Sequence, residues 1–481
     1  MQNNQNGTAS TVEFERRLDA KLIMSIVATG IMSFSGVCVE TAMNVTFPTL
    51  MEEFSINTAT VQWLTTAYLL VLAAVVPTSG YLNRRFKTKH VFCFAMVFYI
   101  AGILCGFTAQ MFPMLLLGRV LEGIGTGVAL PLMFNIITEQ SPQKNLGFIM
   151  GVGSLVTATA PAVGPSAGGW LSENFGWRAI FAALLPILVI AFVLGVLSIR
   201  QSHELTEDPF DFPGWASVAV AFAALVFAVD MGATLGWTNP IIFALFATFI
   251  LFLALFIVRE RRCEQPLIHL GIFKHVGYVL GLGTIAFMQF SVLALSFLLP
   301  NYAQLTGGAG QTEAGSVLLF GCIVGAAMAP CSGQLLDRFG ARKPILAGAG
   351  FALASVIAFA LISPSMSTLQ AIVVYIFFAL GQGLMAGNTM TACLRFLPAP
   401  IKADGNAMYT TIQQLMGAIG TSVSAAIVNA AQVGVASNEM AAATATGTQN
   451  ACFLLIATMG ISFACAFLMT GKSYKQENAA A

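Results

Sequence analysis

Charge is scarce in this 481-residue chain, where Asp, Glu, Lys and Arg make up only 9% of residues against roughly 25% in an ordinary soluble domain. That shortage excludes water as the main solvent. The net charge of +1 excludes a basic nucleic-acid-binding surface. Histidine is also rare: the four residues His90, His203, His269 and His275 all fall in or beside charged loops, so no intramembrane histidine relay is expected. The nine cysteines form no C-x-x-C pair, and Cys38, Cys105, Cys322 and Cys465 sit inside apolar stretches as small hydrophobes. Neither a disulfide framework, a metal site nor a cofactor is expected. No spaced cluster of His, Asp, Cys or Ser marks a membrane-embedded enzyme, and no loop is long enough for a signalling domain.

What the chain has in abundance is apolar length, with 57% hydrophobic residues. Stretches near 20 residues recur, each able to cross a hydrocarbon core of roughly 30 Å as a helix. The expected spans are Leu22 to Leu50, Thr60 to Leu82, His90 to Ala109, Pro113 to Ile137, Leu146 to Gly169 and Trp177 to Leu197. Two more follow, Pro213 to Met231 and Ile241 to Val258. Six close the chain: Val276 to Pro300, Ala314 to Leu335, Pro344 to Ile362, Leu369 to Cys393, Gly405 to Val433, and Ala451 to Met469. About fourteen spans result. The first follows a mixed-charge lead and has no A-x-A pattern after it, so it reads as a retained helix and not a signal peptide.

Basic residues test this count, because a missed or false span would scramble their distribution among the loops. With both termini cytoplasmic, Arg16, Arg17, Lys21, Arg84, Arg85, Lys87, Lys89, Lys144, Arg200, Arg259, Arg261, Arg262, Lys274, Arg338, Arg342, Lys343, Arg395, Lys402, Lys472 and Lys475 all fall inside. The outer loops keep Arg178. A repeat adds a boundary: Gly80-Tyr-Leu-Asn-Arg-Arg-Phe after span 2 returns as Gly333-Gln-Leu-Leu-Asp-Arg-Phe-Gly after span 10. The expected organisation is a cytoplasmic segment (1–21), a six-helix half (22–200), a linker with two inserted transmembrane helices (201–275), a second six-helix half (276–471) and a cytoplasmic tail (472–481). Such repeats place the substrate path between the halves near the midplane.

Several motifs carry a family resemblance. Gly333-x-Leu-x-Asp337-Arg338-x-Gly340-x-Arg342-Lys343 resembles the signature loop of the major facilitator superfamily. Its glycines permit a tight turn, and its acid suits a helix N-terminus, which together would latch a gate. In the first copy, with Gly80, Arg84 and Arg85, Asn83 replaces the family's aspartate and Lys87 its glycine, which implies a weaker or different latch. Span 5 carries Gly151, Ala160, Pro161, Gly164, Pro165, Gly168 and Gly169, and resembles the superfamily's antiporter motif apart from Ala160. The bland alternative is a small-residue packing face. Glu40-Thr-Ala-Met-Asn44-Val-Thr-Phe-Pro48, Gln62-Trp63 to Tyr68-Leu-Leu70, Gly176-Trp-Arg-Ala-Ile-Phe181 and Glu264-Gln-Pro-Leu267 resemble the fourteen-helix drug:proton antiporters, with Glu40 where those carry aspartate.

This resemblance implies an all-α membrane protein of the major facilitator fold in the bacterial inner (cytoplasmic) membrane, with both termini cytoplasmic and a monomer favoured. Its activity would be export of lipophilic or cationic drugs and dyes in exchange for protons by alternating access. The alternative is a dedicated proton-coupled exporter of one metabolite, siderophore or lipid-like molecule. Its expected partners are a small-molecule substrate, protons and the lipid bilayer.

Few ionisable groups lie within spans, and each is costly in lipid and so a functional candidate. Glu40 has no cationic neighbour one turn away, only Asn44 at i+4, and is the expected proton carrier; a hydrogen-bonded structural acid is the alternative. Arg119 and Glu122, three apart, share a helix face. They satisfy one another or join the coupling. Asp230 near an outer end is a coupling candidate or a solvated helix-end acid. Asn44, Trp63, Tyr68, Phe287, Gln289, Tyr302 and Gln413 are the candidate cavity lining, being aromatic or polar residues in or near spans expected to face the interface.

Overall fold

A computed structural model describes residues 18–56, 58–206, 209–263, 266–307, 311–436 and 439–471. Within them the chain is helical: α1 (Ala20–Val45), α2 (Phe47–Glu53), α3 (Thr58–Val75), α4 (Ser79–Arg85), α5 (Thr88–Thr108), α6 (Phe112–Gln140), α7 (Leu146–Phe175), α8 (Arg178–Ser198), α9 (Phe212–Leu235), α10 (Pro240–Arg262), α11 (Val276–Gly307), α12 (Gln311–Phe339), α13 (Arg342–Ile362), α14 (Thr368–Arg395), α15 (Lys402–Gln432) and α16 (Met440–Met469). Thirteen helices are long and apolar enough to cross a membrane, and α7, bent by 44° between Leu146–Pro161 and Val163–Phe175, makes a fourteenth. The bend falls where Pro161 and Pro165 interrupt the helix, since each proline removes a backbone donor and crowds the preceding turn. The terminal segments with Arg16, Arg17, Lys472 and Lys475 lie outside the described residues, as do Glu264 and Gln265.

Local chemistry sets the breaks. Expected span 1 is two helices, because α1 stops at Val45 and Pro48 sits in the first turn of α2, a position where its missing N–H costs nothing. Span 2 is α3 and α4 joined through a 3₁₀ turn at Val76–Thr78 that contains Pro77. The last helix starts at Met440, well before Ala451. Its first turns, rich in Ala and Thr, are helical without being apolar enough to read as a span. Asp19 caps α1 by accepting from the Leu22 N–H at 2.9 Å, and Ser367 and Gln370 form a reciprocal capping box on α14, each satisfying N–H groups the helix cannot.

An even number of crossings returns the described ends to one face, called here the terminal face. There Asp19 pairs with Arg200 at 2.7 Å and Arg342 lies 5.5 Å from the centroid of the Phe467 ring. Helices α1–α8 are called here the first half and α11–α16 the second, after the expected organisation. The inserted helices α9 and α10 pack on each other, and α9 lies against α3 and α15, covering one seam between the halves. Along the other seam α7 lies against α12.

Apolar packing differs between the two faces. One core cluster runs from the first half across the terminal face and takes in Tyr278, Leu336, Leu394 and Leu397 of the second. The remaining second-half core, from Met288 to Met459, is separate. The first-half core thus continues into the second half at the terminal face, while nearer the opposite end α7 meets α12 through small residues, with Ser166 donating to the Gly315 carbonyl at 3.1 Å.

Candidate functional site

Between the halves lie two adjoining lobes, about 460 and 480 Å³ of space that is partly open to solvent, which share Phe134, Thr157, Pro161, Gln289 and Gln413. Glu40 of α1 lines the larger lobe, facing α11 and α15 across it. Its carboxylate has no hydrogen-bond or ion-pair partner among the described residues, and no Lys or Arg lines either lobe. Gln413 donates to Gln289 at 3.3 Å. Pro161 of α7 reaches both lobes, so the glycine- and proline-rich helix forms a wall of the cavity as well as a packing face.

That packing is close. A Cβ on Gly164 would strike Thr41 and the Cys38 carbonyl of α1, one on Gly168 would strike Ala42, and one on Gly151 would strike the Ala329 carbonyl of α12. Gly169 leaves more room, with Val45 as its neighbour at 3.7 Å. Small residues on α7 therefore bring α1 and α12 to it on opposite sides, as small-residue interfaces do in lipid.

Arg119 and Glu122 are paired with each other and both are buried. Arg119 Nε also donates to the Leu64 carbonyl at 3.2 Å, and its guanidinium lies 4.4 Å from the centroid of the Tyr68 ring. The pair sits inside the first half, among α3, α5 and α6, and lines neither cavity lobe. No hydrogen bond or ion pair joins Arg119 to Glu40 among the described residues. Asp230 falls in α9, but its side chain lies outside the described residues.

Of the other candidate lining residues, Gln289 and Gln413 meet at the cavity. Asn44 is exposed and accepts from Thr65 at 2.9 Å, and Trp63, 45% exposed, packs edge-on against Phe227 of α9 at 5.8 Å. Tyr68 is buried beneath Arg119. Tyr302 ties α11 to the turn after α13, donating to the Ser363 carbonyl at 2.9 Å and accepting from the Met366 N–H at 3.1 Å. Phe287 is partly buried on α11 and lines neither lobe.

The two repeated loops meet the opposite half at the terminal face. Asp337 accepts from the backbone N–H groups of Gly147 and Phe148 at 3.1 and 3.2 Å, capping α7, whose own N-cap residue Asn145 makes no side-chain bond. Gly333 lies against the Gly147 backbone. Gly340, just past α12, has φ +78°, a left-handed cap that favours glycine. Arg338 and Arg342 are exposed at this end. In the first copy, Arg84 pairs with Asp404, a fully buried acid in the first turn of α15, and Gly80 lies against the same carboxylate. Asp404 also accepts from His269, from its backbone N–H at 3.0 Å and from Nδ1 at 2.6 Å. Arg85 donates to the Thr206 carbonyl at 3.3 Å.

Asn83 donates to Glu139 Oε1 at 2.9 Å. Glu139 Oε2 accepts from Ser202 at 2.6 Å and from His203 Nδ1 at 2.9 Å, while His203 Nε2 lies 2.6 Å from the Asn83 carbonyl. Both ring nitrogens of His203 face acceptors, an arrangement that favours the doubly protonated imidazolium. The Glu139 hydrogen bond holds His203 above the ordinary histidine pKa; partial burial opposes it, and the Glu139 charge and Asn83 carbonyl add to it.

Asp404, His269, Glu139 and His203 are not among the residues that sequence motifs single out. A signal existed for Asp404, a lone acid one residue before an apolar span. None marked the histidines, whose partners are 64 and 135 residues away.

The family model for the Major Facilitator Superfamily matches residues 29–421. The chain belongs to this superfamily. It is a transporter and not an enzyme. The lincomycin resistance protein LmrB of Listeria monocytogenes serovar 1/2a is 35% identical over 446 residues, covering 91% of this chain and 95% of that protein. The riboflavin transporter RibZ of Clostridioides difficile is 27% identical over 406 residues, 83% of this chain and 86% of that one. Among solved structures, the human organic anion transporter MFSD10 superposes with a TM-score of 0.61 at 13% identity, covering 91% of this chain and 99% of that chain, a likeness of fold alone.

Proposed function

We propose that the protein exports cationic or lipophilic drug-like compounds in exchange for protons by alternating access, in the bacterial inner membrane with the terminal face toward the cytoplasm. Glu40 carries this reading: among the described residues it is a carboxylate with no hydrogen-bond or ion-pair partner and the one acidic side chain lining the cavity between the halves, where a proton and a cation would compete for it. Binding at Glu40 biases the equilibrium between two rocked states, and each ligand shifts it by its differential affinity. Arg119 and Glu122 pair through one contact inside the first half, with Arg119 Nη2 and Glu122 Oε1 left buried without a hydrogen-bond partner among the described residues, and act as a brace beside the cavity. Orientation follows from the basic helix ends on the terminal face, and the lincomycin resistance relative supports efflux of a drug-like cargo. The driving force is adequate, since one charge moving down ~100 mV releases about 2.3 kcal/mol.

Reconstitution into liposomes with an imposed pH gradient tests this, comparing wild type with Glu40→Gln across cationic and neutral dyes. Proton-driven transport is expected in the wild type and lost in the variant; undiminished transport in Glu40→Gln removes Glu40 from coupling. The riboflavin transporter relative favours a second reading, a dedicated exporter of one metabolite. Movement of a single cellular metabolite with no dye transport selects it.

A further inference from the structure

The cavity is asymmetric in its chemistry. Its acid comes from the first half, while four glutamines come from the second: Gln289 on α11, Gln382 on α14, and Gln413 and Gln414 on α15. Gln289 and Gln382 are 8% and 7% exposed, and what remains exposed faces the lobes they line. The side chains of Gln382 and Gln414 have no hydrogen-bond partner among the described residues. The Gln289–Gln413 pair makes one bond of the several that two amides support. A cargo filling these lobes displaces whatever water these amides hold. If it cannot hydrogen-bond, it strands donors and acceptors in a partly enclosed site, at about tenfold in affinity for each amide left unpaired. Sites built around polar groups discriminate strongly on this ground, whereas apolar pockets discriminate weakly.

We propose that the cavity selects a basic, hydrogen-bond-rich cargo, with one protonated amine against Glu40 and its hydroxyl or amide groups against Gln289, Gln382, Gln413 and Gln414. This rests on the reading of the cavity as the cargo site and narrows it, because a lipophilic cation lacking hydrogen-bonding groups satisfies Glu40 alone. The carboxylate and the amides stand on opposite halves. A cargo that engages both therefore bridges the seam, and one that engages only the acid does not.

The test is equilibrium binding to the purified full-length protein in detergent, without any gradient, by isothermal titration calorimetry. The probes are lincomycin (basic and hydroxyl-rich), riboflavin (hydroxyl-rich, not basic) and tetraphenylphosphonium (cationic, no hydrogen-bonding groups). Wild type is expected to bind lincomycin at least tenfold more tightly than either other probe. Gln382→Leu and Gln413→Leu should each weaken lincomycin about tenfold and leave tetraphenylphosphonium unchanged or tighter. Glu40→Gln should weaken lincomycin and tetraphenylphosphonium but not riboflavin. Tetraphenylphosphonium binding as tightly as lincomycin to wild type overturns the proposal, and so does an equal loss for both probes in folded leucine variants. The wild-type preference alone decides the matter should a variant fail to fold. Binding of this pattern without gradient-driven transport would leave the selectivity standing and remove proton coupling.

Discussion

The two copies of the repeated loop do the same job with opposite polarity. In the second copy the loop supplies the acid: Asp337 reaches across the seam and caps the N-terminus of α7. In the first copy the matching place, four residues after Gly80 as Asp337 is four after Gly333, holds the cation Arg84, and the acid stands on the other side as Asp404 in the first turn of α15. Both arrangements put a negative charge at a helix N-terminus, where the backbone dipole favours it. One does so across the seam and the other within its own helix. The physical means differ too. The second latch relies on backbone approach, Gly333 against Gly147, and on an exposed carboxylate. The first relies on a buried charge held by Arg84 and His269. Counted from the glycine, Arg84 and not Asn83 stands where the second copy has its acid; across the seam, the charge has moved.

Removing charge separates the two most. Asp404→Asn leaves Arg84 facing a neutral partner at a buried site, which costs about 3 kcal/mol and moves the balance between closed and open terminal face roughly 100-fold toward open. Asp337→Asn loses an exposed cap worth about 1 kcal/mol. Spin-label distances across the terminal face read both, and equal shifts would erase the distinction. Adding bulk tests both latches sterically. In Gly333→Ala the new methyl meets the Gly147 and Phe148 backbone, which has nowhere to go, so overpacking costs about 2 kcal/mol. In Gly80→Ala the obstacle is mainly the Asp404 carboxylate, which Arg84 and His269 hold in place, so relieving the clash disturbs that buried pair and the cost approaches the ~3 kcal/mol of Asp404→Asn. A face that opens in Gly333→Ala but stays closed in Gly80→Ala would show that the first latch does not depend on the position of the Asp404 carboxylate.

The fold was legible because apolar length and loop charge are properties of contiguous segments. The span count needed no tertiary information, and the places where it slipped were those where local chemistry cut or extended a helix, at Pro48 and in the Ala- and Thr-rich start of α16. Glu40 was legible as an isolated acid in an apolar run, and Gln289 and Gln413 as polar residues in spans. Tyr68 and Tyr302 carry the same sequence signal as those glutamines, but one lies under Arg119 and the other holds a turn. Whether a polar residue faces a cavity or a neighbour depends on helix rotation, which a strongly apolar span scarcely encodes. The latches were half legible: Asp337 came with its motif, whereas Asp404 is defined by Arg84, 320 residues away.

Titration gives the smallest test. Histidines enter the first latch and its supports and are absent from the second: His269 on Asp404, and His203 bridging Glu139 to the Asn83 carbonyl at the base of the Arg84 turn. His203 has a raised pKa in the folded protein, from its bond to Glu139. Its contribution is therefore fully present below the ordinary histidine value of 6.5 and is lost as pH rises through the higher folded value. When the ring loses a proton, one nitrogen faces its acceptor without a hydrogen, and either Glu139 or the Asn83 carbonyl loses its donor. Wild type should lose thermal stability relative to His203→Gln as pH rises from 6.5 to 9, and the Arg84 turn should loosen while the contact of Asp337 with α7 stays constant. Parallel melting curves for the two proteins across that range would show that the ring is neutral throughout and that the first latch does not respond to pH through His203.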